Sequence, residues 1–194
     1  MTKSAVAHKT SARAAAEEAL FDAAERLLVD VGYAGITTRR LAEEAGVNHG
    51  LVHYYFGSNE NLLLQMLERF TARLIERQEA LYASEAPFVE KWRTAMSHLM
   101  SDDVAYEKVW LELQAMGWNN AELRERLARV NDEWRRVLTQ AFEVPHSELG
   151  MTMPLEALVS LVMTFNIGIM VERLGDIEAG HQQLLDWIDG WLSN

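Results

Sequence analysis

The chain has no cysteine, only three prolines and no run of strictly alternating apolar and polar residues. Without cysteine, disulfides and thiolate metal sites are excluded, and nothing requires an oxidising compartment. Prolines confined to positions 87, 145 and 154 leave long stretches free for helices. The missing period-two pattern removes the main signal for strands. The first twenty residues, MTKSAVAHKTSARAAAEEAL, lack an apolar core and reach Glu17 and Glu18, which is not the make-up of a secretory leader. The longest apolar run, ALVSLVMTFNIGIMV, reads as too short to span a bilayer and is interrupted by Ser160, Thr164 and Asn166. These absences predict a cytoplasmic protein without a membrane partner. Basic charge is scarce too: 18 Lys and Arg face 29 Asp and Glu, a net charge of −11 that argues at first against nucleic acid. The acid is unevenly placed, however. Residues 1–60 have a net charge of −2 and residues 61–194 of −9, and Lys3, Lys9 and Arg13 precede the first acid at Glu17. A locally basic face is compatible with an acidic whole.

What is present is helical periodicity in a chain of 194 residues, 49% of them hydrophobic, which is enough to bury a core without staples. Leu20, Ala23, Ala24, Leu27, Leu28 and Val31 recur at spacings of three and four and predict a first helix over about 14–31, stopped by Gly32. Thr37 or Thr38 caps a short helix, RRLAEEA, which ends at Gly46. Asn48 caps the next, to about Phe56, and Asn59 caps a long helix to about Tyr82. After Pro87, helices are predicted near 88–100, 103–116, 120–142, 155–173 and 179–192, with VPHSELGMTMP as the one clear loop. The fold class is all-α with about nine helices. Residues 1–60 form a three-helix amino-terminal domain with a flexible basic tail at 1–13. Residues 61–194 form a larger helical bundle.

The stretch AGVNHGLVHYYFGS, residues 45–58, stands out for its histidines and aromatics. A short helix, a tight turn at Gly46 and a second short helix make a helix-turn-helix pattern. In that motif the second helix enters the major groove and its first residues meet base edges. From Asn48 to Phe56 the rise is about 12–14 Å, enough to lie across a groove. Asn48 and His49 can donate or accept at base edges, and Leu51 can meet a thymine methyl. His53, Tyr54 and Tyr55 can hydrogen-bond phosphates. Gly50 removes a side chain where DNA would approach, while Val47, Val52 and Phe56 face inward. Two other readings compete. His49 and His53 have the four-residue spacing of metal ligands, but no third ligand is near in sequence and the HExxH general base is absent, so no metal is expected. The aromatics suit a core, yet positions 53–55 cannot all face inward on one helix.

The segment TTRRLAEEAGVNHGLVHYYFGSNENLL, residues 37–63, resembles the DNA-binding segment of the tetracycline-repressor (TetR) family of bacterial regulators, and AAERLLVDVGYAGIT before it extends the likeness. The resemblance is strong over about residues 15–65 and rests on length and helicity beyond. It implies that Thr38 caps the second helix and touches a phosphate, and that Arg39 can reach a base. It places Asn48, His49 and Gly50 on the leading edge of the recognition helix, and His53, Tyr54 and Tyr55 among its phosphate and edge contacts. The family usually has tyrosine at the position of His53 and lysine at that of Asn59. The second departure removes a charged phosphate contact and shifts weight to Arg39, Arg40 and the basic tail, a candidate minor-groove arm. Arg39 and Arg40 are each spaced to pair with Glu43 and Glu44 in the free protein.

The bundle is rich in methionine and aromatics, which line adaptable pockets and also fill ordinary cores. Trp110, Gln114, Trp118, Met163, Asn166 and Met170 are the candidate contacts for a small-molecule effector, apolar or cationic. Asn166 is equally open to a role as a satisfied buried amide or a dimer contact. The run 155–171 is apolar nearly all round and needs cover on more than one side, and HQQLLDWIDGWL, 181–192, offers a second stripe. Two such helices from each of two chains would make a four-helix interface with Phe165, Ile169, Leu184, Ile188 and Trp191 in it. The resemblance implies the same, since family members dimerise through their last two helices. A two-fold dimer suits a palindromic double-stranded DNA operator with half-sites about 34–36 Å apart. The expected function is a ligand-responsive repressor that needs no cofactor. The rivals are an architectural DNA binder without an effector and a small helical enzyme. The sequence contains no nucleophile–base–orienter set or phosphate loop for the latter.

Overall fold

A computed structural model describes residues 2–101 and 103–193, with the side chains of residues 2–12 and 59 outside the description. Nine α-helices and one 3-10 turn account for nearly all of it: α1 Thr2–Val31, α2 Thr38–Ala45, α3 His49–Phe56, α4 Asn59–Ala83, α5 Phe88–Ser101, α6 Val104–Gly117, α7 Ala121–Glu148, α8 Leu155–Leu174 and α9 His181–Leu192, with the 3-10 turn at Tyr33–Gly35 between α1 and α2.

The helix starts differ from expectation in instructive ways. α1 begins at Thr2, so the segment 1–13 predicted as a flexible tail has helical backbone from Thr2 on. Its alanines and lysines are good helix formers and no proline or glycine interrupts them. The α2 cap is Thr37, whose hydroxyl accepts the Arg40 N–H, leaving Thr38 as the first helical residue. Ser58, not Asn59, caps α4 by accepting from the Asn61 N–H. Asn59 is the first residue of α4, and its side chain lies outside the described part. α7 runs through the expected loop to Glu148 with Pro145 inside it. There the proline forfeits one hydrogen bond near the end of a long helix, where the loss is small.

Two apolar clusters organise the chain. The first joins α1, α2, α3 and the first half of α4 to parts of α6 and α7. Leu20, Leu28, Leu41, Leu62, Leu63 and Leu67 are almost wholly excluded from solvent, together with Val109 and Leu113 of α6 and Leu127 of α7. The second joins α5, α7 and α8 through Trp92, Met96, Phe142, Val159 and Val162, with α9 packed at its edge through Leu185, Ile188 and Leu192. The boundary expected at residue 60 is therefore no break in the core, because α4 contributes to the first cluster well past it.

α8 corrects two expectations. At 20 residues it is, among the described residues, the one helix long and apolar enough to cross a bilayer by length and composition. The apolar run did not show this because the helix extends beyond it at both ends. Ile169, expected in a dimer interface, is 3% exposed and belongs to the chain's own core. The outward face instead carries Leu161, Thr164 and Gly168, with Phe165 half-buried beside them. On α9, Leu184, Trp187 and Trp191 are exposed and Ile188 is half-buried. Phe165, Leu184, Trp187, Ile188 and Trp191 together line one apolar cleft between α8 and α9.

Candidate nucleic-acid interface and effector cavity

α3 is eight residues long, too short to persist alone. Val52 and Phe56 are its buried side chains, each worth roughly 1.5–3 kcal/mol on removal from water. Phe56 packs edge-on to Phe21 of α1 at 5.4 Å between ring centroids. The turn before α3 depends on Gly46, whose φ of 65° is left-handed and whose N–H caps α2 on the Ala42 and Glu43 carbonyls. Asn48 then caps α3, its Oδ1 accepting the Gly50 N–H at 2.8 Å. The glycine has an internal reason as well as any DNA-facing one, since a Cβ on Gly50 would lie 3.2 Å from that same oxygen. With the oxygen committed to the cap, the Asn48 amide NH2 is the group left for a base edge.

His49 follows at the first turn, exposed, with Nε2 3.0 Å from the Thr38 hydroxyl. That contact ties the leading edge of α3 to the start of α2 and fixes where the imidazole sits. Thr38 is thus a holder of His49 rather than a cap. Arg39 is exposed and bonded to Glu43 at 2.8 Å, as its spacing predicted. Arg40 does not pair with Glu44, because Glu44 is taken by Arg26 of α1 at 2.8 Å. Arg40 is exposed, as are Gly50 and His53.

The two tyrosines divide the work expected of both. Tyr54 is 61% exposed. Tyr55 is half-buried, and its hydroxyl donates to the Arg13 carbonyl oxygen of α1 at 2.9 Å. Tyr55 is thereby a tie between α3 and α1 and not a free phosphate ligand, which corrects its expected role. The Arg13 guanidinium lies over both rings, 5.1 Å from the Tyr54 centroid and 5.8 Å from that of Tyr55. This cation–π contact holds a positive charge beside the exposed edge of α3. Asn48, His49, Gly50, Arg39, Arg40, His53, Tyr54 and Arg13 therefore come together on α2, α3 and one point of α1. Arg13 was expected only as part of a tail, since its partners lie some forty positions away. Among the described residues, no group of three or more His, Asp or Glu is placed to hold a metal.

In the bundle, a cavity of about 110 Å³ lies among α4, α5, α6, α7 and α8. Of the expected contacts, Trp110, Met163, Asn166 and Met170 line it. Trp118 does not, being 76% exposed at the end of α6. Gln114 lies outside it with a buried, unpartnered Nε2. Both fall off the cavity because only the first half of α6 faces it. The residue that sequence reasoning missed is Glu107, 1% exposed in the cavity wall. Its Oε1 accepts from Arg173 Nη1 at 3.1 Å, and Arg173 Nη1 also donates to the Leu99 carbonyl. Burial pushes the Glu107 carboxyl above the ordinary carboxylate range; Arg173 opposes the shift and Asp103 adds to it. Asp103 itself bonds Arg77 at 2.7 Å. Tyr106 accepts from the Trp134 indole N–H at 2.9 Å, and burial drives its phenol up to about 12. Glu107 was legible as a charged residue in phase with Asp103, Tyr106, Trp110 and Gln114 on one face of α6.

Residues 20–66 match the family model described as bacterial regulatory proteins, tetR family. Over 115 residues the chain is 33% identical to an HTH-type transcriptional regulator BetI of Rhizobium meliloti, an alignment covering 57% of this chain and 56% of that protein. The chain thus matches little more than half the length of such relatives. The fold is similar to that of a transcriptional regulator FadR from Bacillus subtilis in complex with stearoyl-CoA, with a TM-score of 0.71, 20% identity and coverage of 91% and 97% of the two chains. It is equally similar to a transcriptional regulator from Saccharomonospora viridis in complex with choline, with a TM-score of 0.71, 19% identity and coverage of 95% and 94%.

Proposed function

We propose that this chain, a member of the tetR family of bacterial regulatory proteins, is a cytoplasmic, non-enzymatic transcriptional repressor that binds a palindromic DNA operator as a homodimer and is released by a small molecule in the bundle cavity. The observation that carries the reading is the surface of α2 and α3. Asn48, His49 and Gly50 form the first turn of α3, seated by Val52 and Phe56 on the core, with exposed Arg39, Arg40, His53 and Tyr54 around it. Base-edge groups sit at the helix start, and phosphate-binding groups flank it, as major-groove reading requires. Arg39 gives up Glu43 when it meets DNA, a small cost because the pair is exposed.

The dimer reading rests on the exposed apolar groups Leu161, Leu184, Trp187 and Trp191 of α8 and α9, with half-buried Phe165 and Ile188 beside them. A patch of this kind is costly to leave wet. A second copy would cover it by the same patch under two-fold symmetry. A Cβ on Gly168 would meet nothing within this chain, so the space beside α8 is open to a neighbouring helix.

The effector reading rests on α4 and α6. Each lines the cavity at one point, through Gln78 and Tyr82 or through Tyr106 and Trp110, and enters the α1–α3 core at another, through Leu63 and Leu67 or Val109 and Leu113. A ligand that fits one placement of these helices better than another would bias the position of α3, by no more than its differential affinity for the two placements. The choline and stearoyl-CoA in the structural neighbours support a small-molecule role for the bundle. The test of the DNA reading is repeated selection of binding sites from random duplex DNA by the full chain. A recovered palindrome with half-sites about one helical turn apart is the expected result. Recovery of no common sequence overturns it.

A further inference from the structure

Gln78, Glu107 and Asn166 come from three helices, α4, α6 and α8, and all line the cavity. Each holds a buried oxygen with no hydrogen-bond partner: Gln78 Oε1, Glu107 Oε2 and Asn166 Oδ1. The other buried unpartnered polar atoms belong to Thr71, Arg77, His98, Gln114 and His181, none of which lines it. The orphaned polar atoms of the cavity wall are therefore all acceptors, and one is a carboxylate oxygen. Arg173 bonds only the other Glu107 oxygen, Oε1. Among the described lining residues there is no lysine, arginine or histidine, while Asp103 adds a second carboxylate. The rest of the wall is aromatic and apolar, with Trp92, Trp110 and Trp134 prominent.

Buried acceptors left unmade are costly, and a ligand that supplies their donors recovers that cost. An anion would face the free oxygen of Glu107 and the Asp103 carboxylate with no cationic side chain in the lining to receive it, since Arg173 and Arg77 hold these carboxylates from outside the lining. A neutral apolar molecule would leave the acceptors unpaired. A quaternary ammonium would gain from the aromatic faces but brings no N–H. A small cation that carries its own N–H groups brings positive charge and donors together, and a protonated primary amine does so with three donors on one compact centre.

Resting on the effector reading above, we infer that the ligand class of this cavity is a small protonated primary amine, its N–H groups donating to Glu107 Oε2, Asn166 Oδ1 and Gln78 Oε1 and its carbon body lying against the tryptophans. The volume of about 110 Å³ limits that body, being smaller than the ~150 Å³ cavity that holds a benzene.

The test is calorimetric titration of the full chain at neutral pH with n-butylammonium, benzylammonium, tetramethylammonium, n-butanol and butyrate. DNA binding is measured separately on the same preparation. At least one primary amine is expected to bind roughly tenfold or more tighter than the other three probes. Glu107→Gln is expected to weaken that amine by a similar factor, and Asn166→Leu to weaken it too. Asn166→Leu decides alone if Glu107→Gln does not fold. The inference is overturned if tetramethylammonium, butanol or butyrate binds as tightly as the amines, if neither amine binds at millimolar concentration, or if the folded variants bind the amine unchanged. Sequence-specific DNA binding in any of those cases leaves the regulator reading standing. Amine binding without it would do the reverse.

Discussion

Tyr54 and Tyr55 are adjacent, chemically identical and differently employed, so replacing each by phenylalanine separates holding the recognition helix from touching DNA. The Tyr55 hydroxyl spends its hydrogen on the Arg13 carbonyl at 2.9 Å, across 42 residues of sequence. Its loss removes one neutral hydrogen bond, worth about 0.5–1.5 kcal/mol. For a chain of this size that lowers the melting temperature by roughly 1–6 °C. Well below that temperature α3 stays docked, held by Val52 and Phe56, so DNA affinity should change by less than about threefold. Tyr54 is 61% exposed and makes only ring contacts, with Tyr55 and with the Arg13 guanidinium. Tyr54→Phe should leave the melting temperature unchanged. It should cost one hydrogen bond to a charged phosphate, about 1.5–3 kcal/mol or roughly tenfold or more in Kd, equally on specific and random DNA. Thermal melts and fluorescence-anisotropy titrations at one fixed salt concentration read both effects. If Tyr55→Phe weakened DNA binding as much as Tyr54→Phe with no loss of stability, the assignment of Tyr55 to the α1 tie would be wrong.

The remaining expectations can be stated briefly. His49→Ala should relax preference at particular bases while lowering affinity for random DNA little; equal losses on both would remove His49 from base reading. Leu161→Glu combined with Trp187→Glu should halve the mass seen by sedimentation, since both side chains are exposed, and a persistent dimer would move the interface elsewhere. Asn48→Ala should cost about 1 kcal/mol through loss of the α3 cap, read by denaturant unfolding, and an unchanged midpoint would contradict the capping role. Burial raises the Glu107 carboxyl, with Arg173 and Asp103 facing it, so the folded chain keeps that proton to higher pH than the unfolded one. The contribution is present below the unfolded value and is lost as pH rises through the folded value. Glu107→Gln should therefore flatten the fall of stability with pH just above the ordinary carboxylate range, and an unaltered slope would show that Glu107 does not titrate there.

What the sequence made legible, and what it hid, follows from the range of the interactions. The α2–turn–α3 unit was readable because a glycine in left-handed conformation, a capping asparagine and two inward apolar residues act within a few positions. Where two capping types stand side by side, the α2 cap stayed open between Thr37 and Thr38, and the α4 cap was read one residue late, at Asn59 instead of Ser58. Tyr55 was misassigned because its partner lies on α1, and no local pattern reports it. Ile169 was misplaced for a different reason. α8 is apolar on every side, so periodicity cannot say which face the chain buries itself. Trp118 was chosen for residue type and lies beyond the half of α6 that faces the cavity. Glu107 carried a usable signal, a charge in phase with aromatic neighbours, but its partner Arg173 sits 66 positions away in α8.

The central claim is that a two-fold pair of α3 helices reads a specific DNA site. The most direct measurement is an anisotropy titration of the full chain against fragments flanking its own gene, at fixed salt, with excess random duplex as competitor and the stoichiometry determined at saturation. The account predicts competitor-resistant binding by two chains per site. Binding that random duplex displaces as readily as it would a nonspecific complex, or saturation at one chain per site, would contradict it.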